Sequence, residues 1–449
     1  MGDREVPLSI PLPCCRSPAG RGLVREAAAR YRPRRPERTS FYRLLERHFE
    51  DYTRVHSERF EPRHGPLRRV VRRAVEQFLD CGRHESGFAR LRCAGCAAEH
   101  LIAFSCQTRN LCPSCQAKRA ALFAEHFVEV VRRPVPHRHV VLAIPKVLRR
   151  LFERDRRLLS LLSQAAWQAL RACLQEAVGR RDALPGAVAS IQTFGSFGNW
   201  NPHIHMLVTD GLIERGGRFL PAQRLEGGRL EEAFRIRLLR ALRRAERLSE
   251  AFLDTLLSWE HSGFSVYVGA AVEANESATT ERLARYLTRA PVALGKVHPQ
   301  ADGRIKLLTP PDPATGRDHK HFDALDWIQA ITTQIPDARQ HMVRYYGAYA
   351  NRARRLYRAS EDSVADPVGA GEDAGPSDAE AEWKRMRRRA WARLIARIYE
   401  VDPLVCPRCG EELRIVALIT DPRVIDRILA HREARGICSP FQSRAPPAA

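Results

Sequence analysis

The chain has 449 residues, in which 74 Lys and Arg outnumber 52 Asp and Glu and leave a formal net charge of +22. This length allows roughly two to four domains, and the positive charge indicates a polyanionic partner, most often nucleic acid. No apolar run reaches the ~18 residues of a membrane span, and the N-terminus lacks the apolar core of a signal peptide. We therefore expect a soluble cytoplasmic protein whose 12 cysteines serve as metal ligands rather than disulfides.

Composition divides the chain into five regions. Residues 1–39, rich in Arg and Pro, predict a basic and poorly ordered arm. Residues 40–133 combine helical periodicity with a cysteine-rich stretch and predict a helical, zinc-binding domain. Residues 134–358 alternate strands and helices, and residues 359–382 predict an acidic flexible linker. Residues 383–449 then predict a basic helix and a tail that contains a Cys-x-x-Cys pair.

The region 134–358 carries the clearest pattern of secondary structure. Apolar runs predict strands at 139–144, 187–194, 203–209 and 264–272, and helices at 148–178, 230–256 and 279–287. Their order along the chain indicates an α+β fold with a central, largely antiparallel sheet and helices on one face.

The cysteine-rich stretch predicts a structural zinc site. Cys93 and Cys96 form one Cys-x-x-Cys pair, and Cys112 and Cys115 form another fifteen residues later. Two such pairs at this spacing are typical of one tetrahedral Zn²⁺ held by four thiolates, which leave no open position for catalysis. Nearby residues that could substitute for a ligand or build a second site are Cys81, His84, His100 and Cys106.

A third pair, Cys406 and Cys409, lies in the C-terminal tail and supplies half of a metal site. His431 and Cys438 are candidates to complete it. The alternative is a remnant of a zinc knuckle or a turn beside a helix.

The run Asn-Pro-His-Ile-His leads into an apolar strand and predicts a catalytic metal site. Alternate residues of a strand point to one face, so His203 and His205 should project together while Ile204 is buried on the other side. The His-x-His pairs at 137–139 and 319–321 have a charged residue in the middle and are more typical of a basic surface or loop.

Tyr286 is a candidate nucleophile on a predicted helix that ends at Pro291. A phenol with a pKa near 10 attacks poorly until a metal or nearby cations stabilise the phenolate. Arg285 and Arg289 flank the tyrosine and could supply that charge. Other tyrosines in a basic context are Tyr345, Tyr346 and Tyr349.

The order of these motifs resembles that of the rolling-circle HUH transposases of bacterial insertion sequences and their common-region relatives. The resemblance covers residues 65–358, with the tail motif Cys406-Pro-Arg-Cys409-Gly-Glu-Glu-Leu-Arg also similar. It begins with the cysteine pairs and continues through Gln192-Thr-Phe-Gly-Ser and Asn-Pro-His-Ile-His. It ends with Arg-Tyr-Leu-Thr-Arg-Ala-Pro and Val343-Arg-Tyr-Tyr-Gly-Ala-Tyr-Ala-Asn-Arg.

The resemblance implies an HUH nuclease core in which His203 and His205 hold a catalytic Mg²⁺ or Mn²⁺. It also implies that Tyr286 attacks DNA covalently and leaves a 5′-phosphotyrosine and a free 3′-OH. Two-tyrosine members carry a second Tyr four residues earlier, where this chain has Arg282, so the chain looks like the single-tyrosine branch. Gln192 is the first candidate for the third metal ligand, because it lies on the strand before the histidines. Asp210 and His139 are alternatives.

The expected partner is single-stranded DNA, at hairpin-forming element ends and at the target site. Absence of the G-x-x-x-x-G-K-[ST] loop predicts no nucleotide cofactor, so strand separation would come from host replication or helicase proteins. We expect the protein in the bacterial cytoplasm, associated with the nucleoid. Candidate DNA contacts are Arg109, Lys118, Arg119, Arg285, Arg289 and Arg344, with Trp200 or Phe197 stacking on bases.

Two other functions fit these motifs. A plasmid rolling-circle replication initiator or relaxase would share the histidines and the tyrosine, although the zinc module favours the transposase. A zinc-binding DNA-binding protein with an inactive nuclease core would show a broken His pair or lack the tyrosine, and both are intact here.

Overall fold

The computed structural model describes residues 36–195, 198–311, 315–357, 405–406 and 408–435. Most of the predicted basic arm, the whole of the predicted acidic linker and the predicted basic helix lie outside these residues. Within them, no helix is both long and apolar enough to cross a membrane.

Helices and strands alternate along the described chain. The helices are α1 (Ser40–Arg59), α2 (Glu61–His64), α3 (Arg69–Leu79), α4 (Pro113–His126), α5 (Lys146–Arg154), α6 (Leu158–Val178), α7 (Gly227–Arg244), α8 (Glu250–Ser258), α9 (Ser277–Leu287), α10 (Ala324–Thr332) and α11 (Pro422–Ala434). The strands are β1 (Phe88–Cys93), β2 (Glu99–Ala103), β3 (His137–Ala143), β4 (Gly186–Phe194), β5 (Trp200–Thr209), β6 (Gly211–Ile213), β7 (Phe219–Pro221), β8 (Ser265–Val272), β9 (Val297–Pro299), β10 (Ile305–Leu308), β11 (His319–Phe322), β12 (Val343–Gly347) and β13 (Leu413–Ile419).

The centre of the molecule is a five-stranded sheet in the order β12-β4-β5-β3-β8. Every neighbouring pair is antiparallel, which confirms the predicted α+β class with an antiparallel sheet. β5 is the middle strand, and its last eight residues are buried. The single helix predicted at 148–178 is divided into α5 and α6, and the one at 230–256 into α7 and α8.

The two faces of this sheet have different coverings. Long helices α6 and α7 pack on one face, where alternate residues of β5 such as Ile204 and Met206 enter the main hydrophobic core. Helix α9 and part of α4 lie against the opposite face, where Leu207 contacts a cluster that includes Ala284 and Leu287. The helices thus extend beyond the single face that the sequence pattern indicated, and α9 is brought over the strand residues that carry the candidate chemistry.

A second core lies among the N-terminal helices. Phe41 of α1 packs edge-on against Phe78 of α3 and Trp327 of α10, with ring centroids 5.5 and 5.2 Å apart. The Tyr52 hydroxyl donates to Gln329 Oε1 across 2.6 Å. Residues 297–307 and 322–335, predicted within the nuclease region, therefore complete the N-terminal core.

A small three-stranded sheet joins an N-terminal hairpin to a strand from the C-terminal region. Strands β1 and β2 form a hairpin, and β13 pairs with β1 in the order β13-β1-β2. Residues from the C-terminal region are thereby part of the cysteine-rich module.

Candidate active site and metal centres

The histidines of β5 lie on the sheet face beneath α9. His203 is opposite Gln192 of β4, and His205 is opposite Ser190. Both histidines are buried: 8% of the surface of His203 and 4% of that of His205 is exposed. Ile204 enters the core on the other side, as the two-residue period of a strand predicts.

The ring nitrogens of the two histidines converge. His203 Nε2 and His205 Nε2 are 2.9 Å apart, and His203 Nδ1 donates to the Asn201 carbonyl across 2.7 Å. That bond leaves the His203 Nε2 lone pair directed at His205. Two ligands at right angles around an octahedral cation with bonds of 2.0–2.1 Å are about 2.9 Å apart. The pair therefore fits two neighbouring positions of one octahedral Mg²⁺ or Mn²⁺.

His139 of β3 stands behind this pair. Its Nε2 lies 2.9 Å from His205 Nδ1, and the two rings stack with a 5.1 Å centroid separation. The sequence predicts that the His-x-His pair at 137–139 lies on a basic surface or in a loop. This prediction is wrong, because the pair lies on β3, an internal strand of the sheet. Within that pair His137 is fully buried.

Gln192 connects the sheet face that carries the histidines to the end of α9. Its Nε2 donates to the carbonyls of Tyr286 and Leu287, at 3.1 and 3.0 Å. Its Oε1 is buried and has no hydrogen-bond partner in the described part of the chain. An unpartnered buried oxygen beside His203 is a suitable third ligand. The alternative ligand Asp210 instead forms an ion pair with Arg138 at 2.5 Å. Asp210 comes seven residues after His203, which places it ~20 Å away along the strand direction.

Tyr286 lies against the imidazoles. Its ring meets His205 and His139 edge-on, with centroid distances of 5.5 and 6.0 Å. The Arg289 guanidinium lies 4.5 Å above the Tyr286 ring and 5.3 Å from that of Phe194. The phenol is half-buried and Arg289 is exposed, so solvent and a ligand can approach from the guanidinium side.

Burial keeps these imidazoles neutral. It lowers the pKa of His203 to about 4, and the charges of Arg289 and Arg149 add to the effect. It lowers the pKa of His139 to about 4. The pKa of His205 is well below its ordinary value because of burial and of its histidine neighbours. Neutral imidazoles retain the lone pairs that a metal requires.

The other predicted tyrosines lie outside this site. Tyr349 is buried against His137, with Oη 2.7 Å from the imidazole Nε2. Tyr346 forms a hydrogen bond with Ser163 and stacks on Trp167. Tyr345 lies beside Arg354, 5.7 Å from its guanidinium.

One tyrosine near the histidines was missed by sequence reasoning. Tyr267 on edge strand β8 is 53% exposed, and its ring lies 6.4 Å from that of His139. Its register opposite Val141, itself paired with His205, explains its position. No local motif marks it.

Most predicted DNA-binding cations have partners within the protein. Arg285 pairs with Glu281 at 2.7 Å, and Arg344 donates to Ser160 Oγ at 2.7 Å. Arg109 donates to the backbone carbonyls of Asp337 and Gln340, so it holds a loop. Further along, Arg119 donates to the Gln107 carbonyl at 3.3 Å, and Lys118 is half-buried on α4.

Arg149 of α5 is a further candidate for contact with a phosphate, and no sequence motif marks it. Its Nε is buried and unpartnered within the described residues, and its charge acts on His203. Trp200, predicted to stack on bases, donates to the Arg149 carbonyl at 2.9 Å and is covered by Arg156 at 4.6 Å. Phe197, the other predicted stacking residue, lies outside the described residues.

The cysteines form two separate clusters, which corrects the predicted grouping. The first contains Cys81, Cys106, Cys112 and Cys115, with sulfur atoms within 4.8 Å of one another. Individual separations are 3.9, 3.9 and 3.5 Å, close to the ~3.8 Å edge of a zinc–thiolate tetrahedron with 2.3 Å bonds. The first cluster therefore fits a structural zinc ion.

The physical reason for the correction is the β1–β2 hairpin. The first cluster lies at the hairpin's base, whereas Cys93 and Cys96 lie at its tip, beside Cys406 and Cys409. Six strand residues at about 3.3 Å each separate base from tip by roughly 20 Å. One ion cannot bridge that distance. The other suggested ligands, His84 and His431, belong to neither cluster, and Cys438 lies outside the described residues.

Comparisons with known proteins match both parts of this arrangement. A family model described as "Putative transposase" matches residues 186–356, which include the histidines and Tyr286. One described as "Transposase zinc-binding domain" matches residues 45–144, which include the first cysteine cluster. The chain is 25% identical over 382 residues to the "Transposase for insertion sequence element IS801" of Pseudomonas savastanoi pv. phaseolicola. The aligned region covers 79% of this chain and 86% of that relative.

No solved structure matches the chain. The two family matches occur in the expected order, and the IS801 relative is aligned over most of both chains. Together, the two family matches and the IS801 relative support a rolling-circle transposase of the IS91 family.

Proposed function

We propose that this transposase nicks and rejoins single-stranded DNA at the ends of its insertion sequence, with Tyr286 as the nucleophile. The observation that carries the proposal is the position of the Tyr286 ring, 5.5 Å from that of His205 on a sheet face with converging imidazoles. A nucleophile beside a metal site is the arrangement that phosphodiester transfer needs.

His203, His205 and Gln192 are the proposed metal ligands. Two ring nitrogens are 2.9 Å apart, and Gln192 Oε1 is buried without a partner. A bound Mg²⁺ or Mn²⁺ would withdraw charge from the scissile phosphate and fix its orientation. Imidazole ligands favour Mn²⁺ more than an all-oxygen site does.

His139 is proposed as a positioning residue. If His205 Nε2 held a metal, His205 Nδ1 would carry the proton and would donate it to His139 Nε2, 2.9 Å away. Ligating histidines commonly donate their second ring N–H in this way, which fixes the tautomer and the ring orientation.

The proposed transfer conserves the phosphodiester. The Tyr286 oxygen, after losing its proton to solvent, forms a bond with the scissile phosphorus. The bond from phosphorus to the 3′ oxygen breaks, and that oxygen takes a proton from water. The products are a 5′-phosphotyrosine and a free 3′-OH, and attack by a 3′-OH reverses the step without a nucleotide. Arg289, 4.5 Å from the ring, would stabilise the phenolate.

Arg282 occupies the position of a second tyrosine and donates to Thr279 Oγ1 across 3.0 Å, which supports a single-tyrosine cycle. Single-stranded DNA is the proposed substrate, because its unstacked phosphate can enter a half-buried site. Hairpin-forming element ends and the target site would be bound through basic side chains such as Arg149 and Arg289. Host replication proteins would supply the separated strand.

Covalent trapping tests the proposal. The protein is incubated with Mn²⁺ and single-stranded DNA carrying the element's end, then digested, and the adduct is mapped by mass spectrometry. We expect the adduct on Tyr286 and none with Tyr286→Phe. Tyr267→Phe is the matched control, because it removes a hydroxyl near the same histidines and should leave trapping intact. An adduct on Tyr267, or trapping by Tyr286→Phe, would show that the nucleophile is misassigned.

A further inference from the structure

The second cysteine cluster joins residues more than three hundred positions apart. Cys93 Sγ lies 3.4 Å from Cys409 Sγ, and Cys96 Sγ lies 3.7 Å from Cys406 Sγ. All four sulfurs are within 4.8 Å of one another. Cys406 and Cys409 are outside both family matches, which end at residues 144 and 356.

These distances fit a metal site and not a pair of disulfides. Disulfide sulfurs are about 2.05 Å apart, whereas the edge of a zinc–thiolate tetrahedron is about 3.8 Å. The Cys96 N–H donates to Cys93 Sγ across 3.5 Å, the kind of bond that stabilises a thiolate ligand. His100 Nε2 of β2 lies 3.8 Å from Cys406 Sγ and can donate to it.

The backbone forms a tight turn at each cysteine pair. In the tail, the Gly410 N–H donates to the Cys406 carbonyl at 2.9 Å, and Gly410 has a φ of +83° that suits glycine. In the hairpin, a Cβ on Gly95 would lie 2.8 Å from Glu411 Cγ. A larger residue at 95 would push the two turns apart, so the sequence accommodates their close approach.

The tail also docks by conventional contacts. β13 pairs with β1 from Phe88–Ile419 to Cys93–Leu413. Leu91 and Leu413 are buried with Cys93 and Cys406 in one small cluster. A module with so small a hydrophobic cluster buries little apolar surface, and such modules usually need a metal or a disulfide for stability.

We propose that Cys93, Cys96, Cys406 and Cys409 hold a second structural zinc ion, which fastens residues 405–435 to the N-terminal hairpin. This ion is separate from the one at Cys81, Cys106, Cys112 and Cys115. The tail is thereby a component of the zinc-binding module. Neither ion has an open coordination position, so both are structural.

Metal content of the purified full-length protein tests the proposal. We expect two zinc ions per chain in the wild type and one in the Cys406→Ser/Cys409→Ser double variant. Cys173→Ser is the control, because Cys173 lies on α6 and belongs to neither cluster; it should retain two. One zinc in the wild type, with the same content in the double variant, would overturn the proposal.

Two measurements keep the test valid if the double variant is unstable. Cys96 and Cys409 are exposed, so a small alkylating reagent should modify them slowly in native wild type and at least tenfold faster after chelation. A protease site inserted within residues 361–380 should give a C-terminal fragment that stays with the remainder in gel filtration until zinc is removed. Rapid alkylation before chelation, or release of the fragment with zinc bound, would contradict the site.

Discussion

Substitutions of Gln192 should separate two roles of one side chain, the observed contact with the end of α9 and the proposed ligation of the metal. Its amide nitrogen donates to the carbonyls of Tyr286 and Leu287, and its oxygen is the proposed third metal ligand. Gln192→Ala removes both functions, whereas Gln192→Glu retains a ligand oxygen and removes the donor. The two substitutions therefore differ in metal binding and agree in the loss of the contact with α9.

The expected magnitudes follow from these contacts. Two lost hydrogen bonds at a buried residue should lower the free energy of unfolding by about 2 kcal/mol in Gln192→Ala. The loss should be larger in Gln192→Glu without metal, because a buried carboxylate would face the two carbonyl oxygens. Loss of a ligand oxygen should raise the Mn²⁺ concentration for half-maximal nicking on the order of 10-fold to 100-fold in Gln192→Ala. In Gln192→Glu that concentration should stay equal or fall, because a carboxylate binds the cation more strongly. The effect of Gln192→Ala should be smaller than that of losing a histidine, since water can replace one neutral ligand.

The assay is nicking of end-labelled single-stranded DNA against Mn²⁺ concentration, with denaturant unfolding measured on the same preparations. If Gln192→Ala is destabilised while its Mn²⁺ midpoint equals that of the wild type, Gln192 only holds the helix. If neither quantity changes, the contacts that link β4 to α9 do not form in solution and the reasoning fails.

Four further perturbations address the histidines and the helix that carries Tyr286. His203→Ala with His205→Ala should abolish nicking and leave most DNA affinity, because affinity comes mainly from Lys and Arg contacts with phosphates. EDTA should stop wild-type nicking well before it unfolds the protein, and Mn²⁺ or Mg²⁺ should restore it. Nicking by the double variant at the wild-type rate would show that the histidines do not hold the catalytic metal and that the HUH assignment is wrong. His137 is buried with its pKa lowered from 6.5 to about 4, so the unfolded chain binds a proton that the folded chain does not between those values. As the pH falls from 6.5 to 4, the contribution of His137 should therefore lower the free energy of unfolding by about 3 kcal/mol. An equally steep fall in His137→Gln would exclude His137 as the cause. Gln116→Ala should lower the nicking rate about tenfold with an unchanged Mn²⁺ midpoint, because it removes a buried hydrogen bond to Thr288; a shifted midpoint would place its effect at the metal instead.

The parts of the site that depend on local periodicity could be predicted from sequence. His203 and His205 are two residues apart on a strand, and that spacing alone puts both side chains on one face. Gln192 was predicted to face them from the preceding strand, and the β4–β5 register pairs it with His203. The contribution of His139 depends on which strand neighbours β5, and its charged neighbour Arg138 concealed the burial of β3.

The cysteine grouping shows where spacing stops being informative. A Cys-x-x-Cys pair defines one turn with two converging sulfurs, but nothing in the pair specifies its partner. The first cluster combines the pair at 112–115 with Cys81 and Cys106, which are 25 residues apart and carry no motif. The tail pair joins a hairpin more than three hundred residues earlier, through sheet pairing that local sequence does not encode.

The zinc-binding module and the central sheet hold the same end of α9. Cys112 caps α4 and Cys115 lies in its first turn, so a zinc ion at the first cluster would fix the start of that helix. From the next position, Gln116 donates to the Thr288 carbonyl across 2.7 Å, directly after α9. Gln192 holds the preceding carbonyls from the sheet side. Because both amides hold backbone carbonyls at or just after Tyr286, a displacement of either support would move the phenol relative to the histidines. A structural zinc at the first cluster would therefore contribute to the position of Tyr286, the proposed nucleophile, without taking part in the proposed transfer.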